Sequence, residues 1–92
     1  MMLYNVTTHV QHAIAADWLQ WMQESHIPAV MQTGCFRDYR ILKLLETDES
    51  EGLTFAVQYT IDDKELYESY LRLHAPALRQ EISSRWGNQV IA

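Results

Sequence analysis

The fold is decided by residues 36–61, which read FRDYRILKLLETDESEGLTFAVQYTI. Residues 36–46 predict a strand that becomes apolar on both faces towards its end, which is typical of a strand covered on both sides. Residues 47–52 are acidic and rich in turn-forming side chains, so they predict the tip of a hairpin. Residues 53–61 alternate between large apolar and small or polar side chains and predict a half-buried strand. The middle of the chain is therefore expected to form a β-hairpin.

A strand and a long helix are predicted before the hairpin. Residues 3–11 alternate and are rich in β-branched side chains, as strands are. From residue 13 to about residue 33, apolar side chains recur every three or four positions and predict an amphipathic helix. Pro28 has no N–H to donate to the carbonyl of Glu24, so we expect the helix to kink or restart there.

Two helices and a short strand are predicted after the hairpin. Asp62, followed three residues later by Glu65, has the spacing of a capping box at a helix start. Pro76 suits the first turn of the next helix, and Gly87 suits its end. Residues 88–92 predict a short last strand. The side chains expected on the buried side of the first of these helices are Leu66, Tyr67, Tyr70, Leu71 and Leu73.

The element order β-α-β-β-α-α-β fits one α+β domain over residues 1–92, a ferredoxin-like sandwich. Right-handed crossovers place the helices on one face of a four-stranded antiparallel sheet. The helices are expected to pack against the apolar faces of the first and third strands. The opposite face is either solvated or lines a semi-polar cavity between two packed sheets. It would carry Asn5, Thr7, His9, Thr54, Gln58 and Thr60.

A second copy of the chain is the expected partner, because small domains often need a device beyond their own core. Cys35 is the only cysteine, which excludes an internal disulfide, and no metal-binding motif is present. A monomer would also expose the apolar end of the second strand, which proteins usually avoid. We therefore expect a homodimer. The apolar residues at that end are Ile41, Leu42, Leu44 and Leu45.

The charge and the N-terminus exclude several classes of partner. The net charge of −5 argues against nucleic acids and against anionic membrane surfaces. No apolar run approaches the roughly 20 residues of a membrane span. The N-terminus lacks the pattern of a signal peptide. Together with the scarcity of cysteine, this predicts a cytoplasmic protein.

Four segments together resemble a small bacterial domain family of unknown function. They are YNVT (4–7), WLQWMQESHIPAVMQTGCF (18–36), VQY (57–59) and YLRLHAPALRQE (70–81). In fold, the chain resembles the dimeric α+β barrel superfamily, which includes antibiotic-biosynthesis monooxygenases, heme-degrading enzymes and stress-responsive proteins. The resemblance implies two sheets that face each other across a dimer axis, and a ligand pocket between sheet and helices in each subunit. It implies no activity.

Two histidines are candidate site residues because each precedes a proline-containing turn. His26 lies in HIP and His74 in HAP. In one interpretation, each imidazole donates to a backbone carbonyl that the proline leaves free. In the other, both lie at the mouth of a pocket as acid–base groups or ligand contacts. His9 and His12 fit no metal-ligand spacing with them, so neither a metal nor a cofactor is predicted.

Asn5 is a further candidate through the resemblance to heme-degrading and quinone-forming barrel enzymes. In those enzymes a first-strand asparagine polarises a substrate or oxygen, which would give Trp18 or Trp21 and His74 partner roles here. The alternative is an asparagine bonded to Gln58 or Thr7, with both tryptophans in the core. No catalytic residue is assigned. The candidate ligand-binding residues are Asn5, Trp18, Trp21, His26, Tyr59 and His74.

Two classes of function remain open. The first is a homodimeric interaction, regulatory or small-ligand-binding module. The alternative is a cofactor-independent, monooxygenase-like enzyme that acts on a small aromatic or heme-like substrate in a pocket near Asn5, His26 and His74. The sequence does not decide whether the protein is an enzyme.

Overall fold

The sheet has four antiparallel strands, and the computed structural model describes the whole chain, Met1–Ala92. The strands are β1 (Met2–Gln11), β2 (Asp38–Lys43), β3 (Gly52–Ile61) and β4 (Val90–Ile91). Their order across the sheet is β2-β3-β1-β4. This order, with β1 and β3 at the centre, is that of a split βαβ, or ferredoxin-like, sheet. The predicted fold class is confirmed.

Four α-helices cover one face of the sheet. They are α1 (Ala15–Trp21), α2 (Ile27–Met31), α3 (Lys64–Leu73) and α4 (Ala75–Trp86). As predicted, Pro76 lies in the first turn of α4, and Gly87 ends that helix with a φ of 58°. None of these helices combines the length and the apolar character that crossing a membrane would need.

The interruption predicted at Pro28 takes the form of a π-helical turn. The chain winds as a π-helix over Met22–His26, between α1 and α2, and Pro28 lies in the first turn of α2. Proline lacks an N–H, and its ring would clash with the carbonyl four residues earlier. The wider π turn relieves that conflict while the chain stays helical. His26, at the end of this turn, is only 7% exposed.

Successive residues of β1 and β3 point to opposite faces of the sheet. The helix face is the one packed under the helices, and its aligned pairs are Tyr4–Tyr59, Val6–Val57 and Thr8–Phe55. The open face is the opposite one, and its pairs are Asn5–Gln58, Thr7–Ala56 and His9–Thr54. The core forms between the helix face and the helices, as predicted. Its most enclosed side chains are Val10, Trp18, Ile27, Val30, Val57 and Ile61.

The start and the buried side of α3 differ from the prediction. Asp63, not Asp62, is the N-cap, and its Oδ1 accepts a hydrogen bond from the backbone N–H of Leu66 at 2.9 Å. Asp62 instead pairs with Arg37 at 2.7 Å. Leu73 is 61% exposed, because it lies at the C-terminal end of α3 beyond the core contact.

The strand β2 is shorter than predicted and lies at the edge of the sheet. Ile41 on the helix face is half-buried and packs against the core. Leu42 on the open face remains 39% exposed, and Leu45 beyond the strand is 76% exposed. One protomer leaves the open face of this strand uncovered, because all the helices lie on one side. This is the exposure expected of a monomer, and cover by a second copy stays a prediction.

The last strand is also shorter than predicted. A 3₁₀ turn occupies Gly87–Gln89, which leaves only Val90–Ile91 for β4. These two residues pair with His9 and Val10 of β1. The rest of β1 therefore has a strand neighbour on one side only. This gap in the sheet lies beside the site described next.

Candidate functional site: a cavity between the sheet and the helices

A cavity of about 510 Å³ lies between the helix face and the helices, next to the stretch of β1 that β4 leaves unpaired. Its volume is within the range of roughly 300–1,000 Å³ that small-molecule sites occupy. The lining is mostly apolar, with a few polar groups, as such sites are. The sheet contributes Tyr4, Val6, Thr8, Val57 and Tyr59, and the helical segments contribute Trp18, Met22, His26, Tyr70, Leu78, Arg79, Ile82 and Ser83.

His26 reaches the cavity from the π turn. Its ring stacks on Trp21, with centroids 5.2 Å apart and planes inclined by 25°. Its Nδ1 is enclosed and has no hydrogen-bond partner in the protein. The partner carbonyl proposed in one interpretation of the HIP segment is therefore not bound by this atom. A buried polar atom left unpaired costs about 1–3 kcal/mol. Because Nδ1 is enclosed by protein atoms, His26 faces the cavity with other atoms of its ring.

Burial keeps the His26 imidazole neutral around neutral pH. Desolvation lowers the pKa of His26 below its ordinary value, and the nearby Glu81 carboxylate opposes that shift more weakly. A neutral imidazole offers one N–H donor and one lone pair. At this position it can therefore accept a proton or a hydrogen bond from a ligand.

Three tyrosines of the cavity lining, Tyr4, Tyr59 and Tyr70, form an aromatic wall. The ring of Tyr4 lies 5.9 Å from that of Tyr59 and 5.8 Å from that of Tyr70, and Phe36 contacts both Tyr59 and Tyr70. Burial raises the pKa of Tyr70 to about 12 and raises that of Tyr59 further still. Both phenols are thus protonated at physiological pH and can donate hydrogen bonds.

Arg79 adds a positive charge to this wall. One guanidinium nitrogen, Nη2, donates to the hydroxyl of Tyr4 at 3.4 Å, and this contact raises the pKa of Arg79. No carboxylate lies within ion-pair distance of Arg79. The ion pairs of the protein are Arg37–Asp62, Lys43–Glu49 and Lys64–Glu68.

The structure brings four of the predicted site residues to the cavity, namely Asn5, Trp18, His26 and Tyr59. Trp21 lies behind His26 and supports its ring. His74 does not line the cavity: it occupies the junction of α3 and α4, where its backbone N–H donates to Tyr70 at 2.9 Å and its carbonyl accepts from Leu78. One pocket shared by His26 and His74 is therefore not formed.

The side chain of Asn5 follows the alternative interpretation. Its Nδ2 donates to the hydroxyl of Thr7 at 3.0 Å, on the open face. Asn5 borders the cavity only because β1 has no strand beside it at this point. The combination of Asn5 with a tryptophan and His74 is therefore absent, because β1 points the asparagine side chain away from the helices.

Sequence reasoning missed Tyr4, Tyr70 and Arg79 as site residues. The pattern placed both tyrosines on buried faces, but it gave no reason to connect them to each other. Arg79 follows Leu78 in the last helix, and the contact that links it to Tyr4 spans 75 positions of the chain. The useful signal was an arginine beside the apolar stripe of Leu78 and Ile82.

The open face holds polar contacts and apolar side chains, and at its edge a wholly polar pocket of about 430 Å³ that is more open than the cavity. It is lined by His9, Asp48, Ser50, Glu51 and Thr54. The ring of His9 lies 3.4 Å from the hydroxyl of Thr54. Ala56 at the centre of this face is 4% exposed, whereas Leu3 and Ile91 are 53% and 65% exposed. Nowhere in the chain do three His, Cys, Asp or Glu side chains converge in a way that could hold a metal ion.

Two comparisons with known proteins identify the fold and the family of the chain. A crystal structure of an ethyl tert-butyl ether degradation (EthD) family protein from Bacillus halodurans aligns with 99% of this chain and 93% of its own, at a TM-score of 0.67 and 16% identity. That likeness shows the fold alone, an α+β domain with a four-stranded antiparallel sheet covered by helices. The chain belongs to the family described as a domain of unknown function, DUF4286, whose model matches residues 1–92. Comparison with curated proteins gives no match.

Proposed function

We propose that the protein is a homodimeric small-ligand-binding module that holds an apolar, aromatic molecule in the cavity of each subunit. The observation that carries this proposal is the cavity of about 510 Å³, whose lining is mostly apolar and includes His26 and Arg79. Small-molecule sites are typically concave and mostly apolar, with a few polar groups that orient the ligand. The volume and the lining of this cavity suit a small aromatic molecule.

The open face supports the homodimer. Leu42 and Leu3 are exposed on either side of Ala56, which is buried. The side chains of β1 on this face include short polar groups that bond to each other, as Asn5 does to Thr7. Such a surface can pack against a second copy of itself across a two-fold axis, with Arg40, which lies beside Gln58 and forms no ion pair, on the edge strand of the contact.

Native mass spectrometry of the freshly isolated protein tests both parts at once. We expect a dimer that carries a retained small molecule, or one that binds the neutral probe N-phenyl-1-naphthylamine. Ser83→Trp places a large ring at the cavity lining and should abolish probe binding. Ser84→Trp is the matched control, since Ser84 is also exposed on the same helix but lies outside the lining. Equal probe binding by both variants would contradict the proposed site.

The second candidate is a cofactor-independent monooxygenase-like enzyme, and the neutral His26 favours it. An imidazole of lowered pKa in an apolar cavity can take the proton of a phenolic substrate, and the resulting carbanion-like ring can react with oxygen. The substrate would supply the electrons, so that one oxygen atom is inserted and the other leaves as water. Oxygen consumption with phenols, hydroquinones or anthrones that His26→Asn abolishes would support this activity. Probe binding without oxygen consumption would favour the binding module.

A further inference from the structure

We infer that the ligand of the cavity carries a carboxylate, which Arg79 binds while an apolar, planar body lies between the helices and the helix face of the sheet. This inference rests on the proposed function, because it names the chemical class of the molecule that the cavity takes.

Arg79 has unused hydrogen-bonding capacity at the cavity. A guanidinium group presents five N–H donors in a planar fork. The protein uses this group in one side-chain hydrogen bond, from Nη2 to the hydroxyl of Tyr4. That bond, at 3.4 Å, links the exposed side chain of Arg79 to the cavity wall and leaves the other donors available. The fork geometry matches the two oxygens of a carboxylate, and such bidentate pairs are among the stronger polar contacts in proteins.

Arg79 forms no ion pair, as is also true of Arg40, Arg72 and Arg85. Among these four arginines, Arg79 is the one that lines the cavity. Glu81 lies two positions along the same helix, a spacing that does not place two side chains side by side. Arg79 is thus a cation at the cavity that contacts the neutral hydroxyl of Tyr4 and no carboxylate of the protein. Such a group can bind the anionic end of a ligand.

The surrounding hydroxyls do not compete for that anion. Burial keeps Tyr59 and Tyr70 protonated, so neither phenol supplies a negative charge to Arg79. Both can donate hydrogen bonds instead. The remaining lining is apolar, with Val6, Met22 and Ile82 as examples. A molecule with a charged end and an aromatic body therefore fits the lining better than a sugar or a nucleotide, which would bury many polar groups against these side chains.

The test compares two probes of the same shape, 2-naphthoate and the neutral 2-naphthamide. Isothermal titration should give an affinity for the carboxylate that is about 10- to 100-fold higher, as expected for a hydrogen-bonded charge pair. Arg79→Gln should remove this preference and leave the affinity for the amide unchanged. Arg79→Lys should retain part of it.

Arg85→Gln is the control, because it makes the same change in net charge on the same helix. Arg85 lies over the ring of Trp86, 4.5 Å from its centroid, and outside the cavity lining. The preference for the carboxylate should persist in this variant. Thermal unfolding of each variant checks that the fold is intact.

Three results would overturn the inference, and they separate it from the proposed function. If the wild-type protein binds both probes equally, or if Arg79→Gln keeps the preference, the ligand is not selected for its carboxylate, although the cavity still binds aromatic molecules. If the wild-type protein binds none of the three probes, 2-naphthoate, 2-naphthamide and N-phenyl-1-naphthylamine, the proposed function fails together with the inference.

Discussion

The two faces of the sheet are built from the same strands but have opposite chemistry. On the helix face, Phe55 and Val57 are nearly completely buried under the helices. On the open face, Asn5 and Gln58 lie opposite each other and no helix covers them. The helix face contains the core and the mostly apolar cavity, whereas the open face has only a polar pocket at its edge, beside His9 and Thr54.

The difference between the two faces follows from the placement of the helices in this chain of 92 residues. The helices come from both halves of the chain, yet right-handed crossovers place all of them on one side. The core and the cavity therefore share the helix face. The open face is free to serve association, and its exposed leucines are consistent with that use. The experiments below change one face at a time.

The largest effect is expected on the helix face. Phe55 is 6% exposed, and its ring lies 5.2 Å from that of Trp18. Phe55→Ala should lower the free energy of unfolding by about 3–5 kcal/mol, because it removes buried apolar surface and leaves a cavity. Urea unfolding at one fixed protein concentration measures this change. Leu73→Ala, at a position 61% exposed, should change it by less than about 0.5 kcal/mol. Similar losses in the two variants would mean that the core is not where the structure places it.

The second experiment changes the open face. Leu42→Glu should weaken dimer formation at least about 100-fold, or roughly 2.7 kcal/mol, because it buries an unpaired carboxylate in the proposed interface. Analytical ultracentrifugation over a range of concentrations measures the dissociation constant. Leu73→Glu makes the same change on the outer surface of α3 and should leave the dimer intact. A Leu42→Glu variant that dimerises like the wild type would exclude this face as the interface.

The third experiment uses pH to probe the cavity. The pKa of His26 is lowered by burial, so the unfolded chain takes up the proton before the folded protein does. Protonation therefore favours unfolding. The contribution of His26 to stability should fall as the pH drops below about 6.5, by up to about 1.4 kcal/mol per pH unit, and should level off below its own lowered pKa. Urea titrations between pH 7.5 and pH 5 measure the slope.

Removal of the imidazole should remove this pH dependence. His26→Asn should flatten the slope between the two pKa values, while His12→Asn, at an exposed position, should preserve it. An unchanged slope in His26→Asn would show that another group causes the pH dependence, and that His26 is not held neutral by the cavity.

The smallest effect is expected at the start of α3, which helps to cover the helix face. Asp63→Ala removes the N-cap hydrogen bond to Leu66 and should cost about 1 kcal/mol. Asp62→Ala removes only an exposed ion pair with Arg37 and should cost about 0.5 kcal/mol or less. Thermal or urea unfolding separates the two. A reversed order would mean that the helix begins at Asp62, as the sequence suggested.

The capping error shows where sequence reasoning stops being reliable. Asp62 and Asp63 are adjacent and chemically identical, and the Glu65 spacing favoured the first of them. Asp62 forms an ion pair with Arg37, and Asp63 caps the helix. This ion pair depends on a distant segment of the chain, which the sequence around the cap does not reveal.

The sequence by itself determined the order of elements, the fold class and the face of β1 and β3 that is buried. These follow from local rules: a period of two in the strands, a period of nearly four in the helices, and the backbone limits of Pro76 and Gly87. Only the tertiary structure decided the site. The contact of Arg79 with Tyr4 joins the two ends of the chain, and the π turn before Pro28 places His26 in the cavity lining. Such contacts depend on packing between distant segments, which no local pattern encodes.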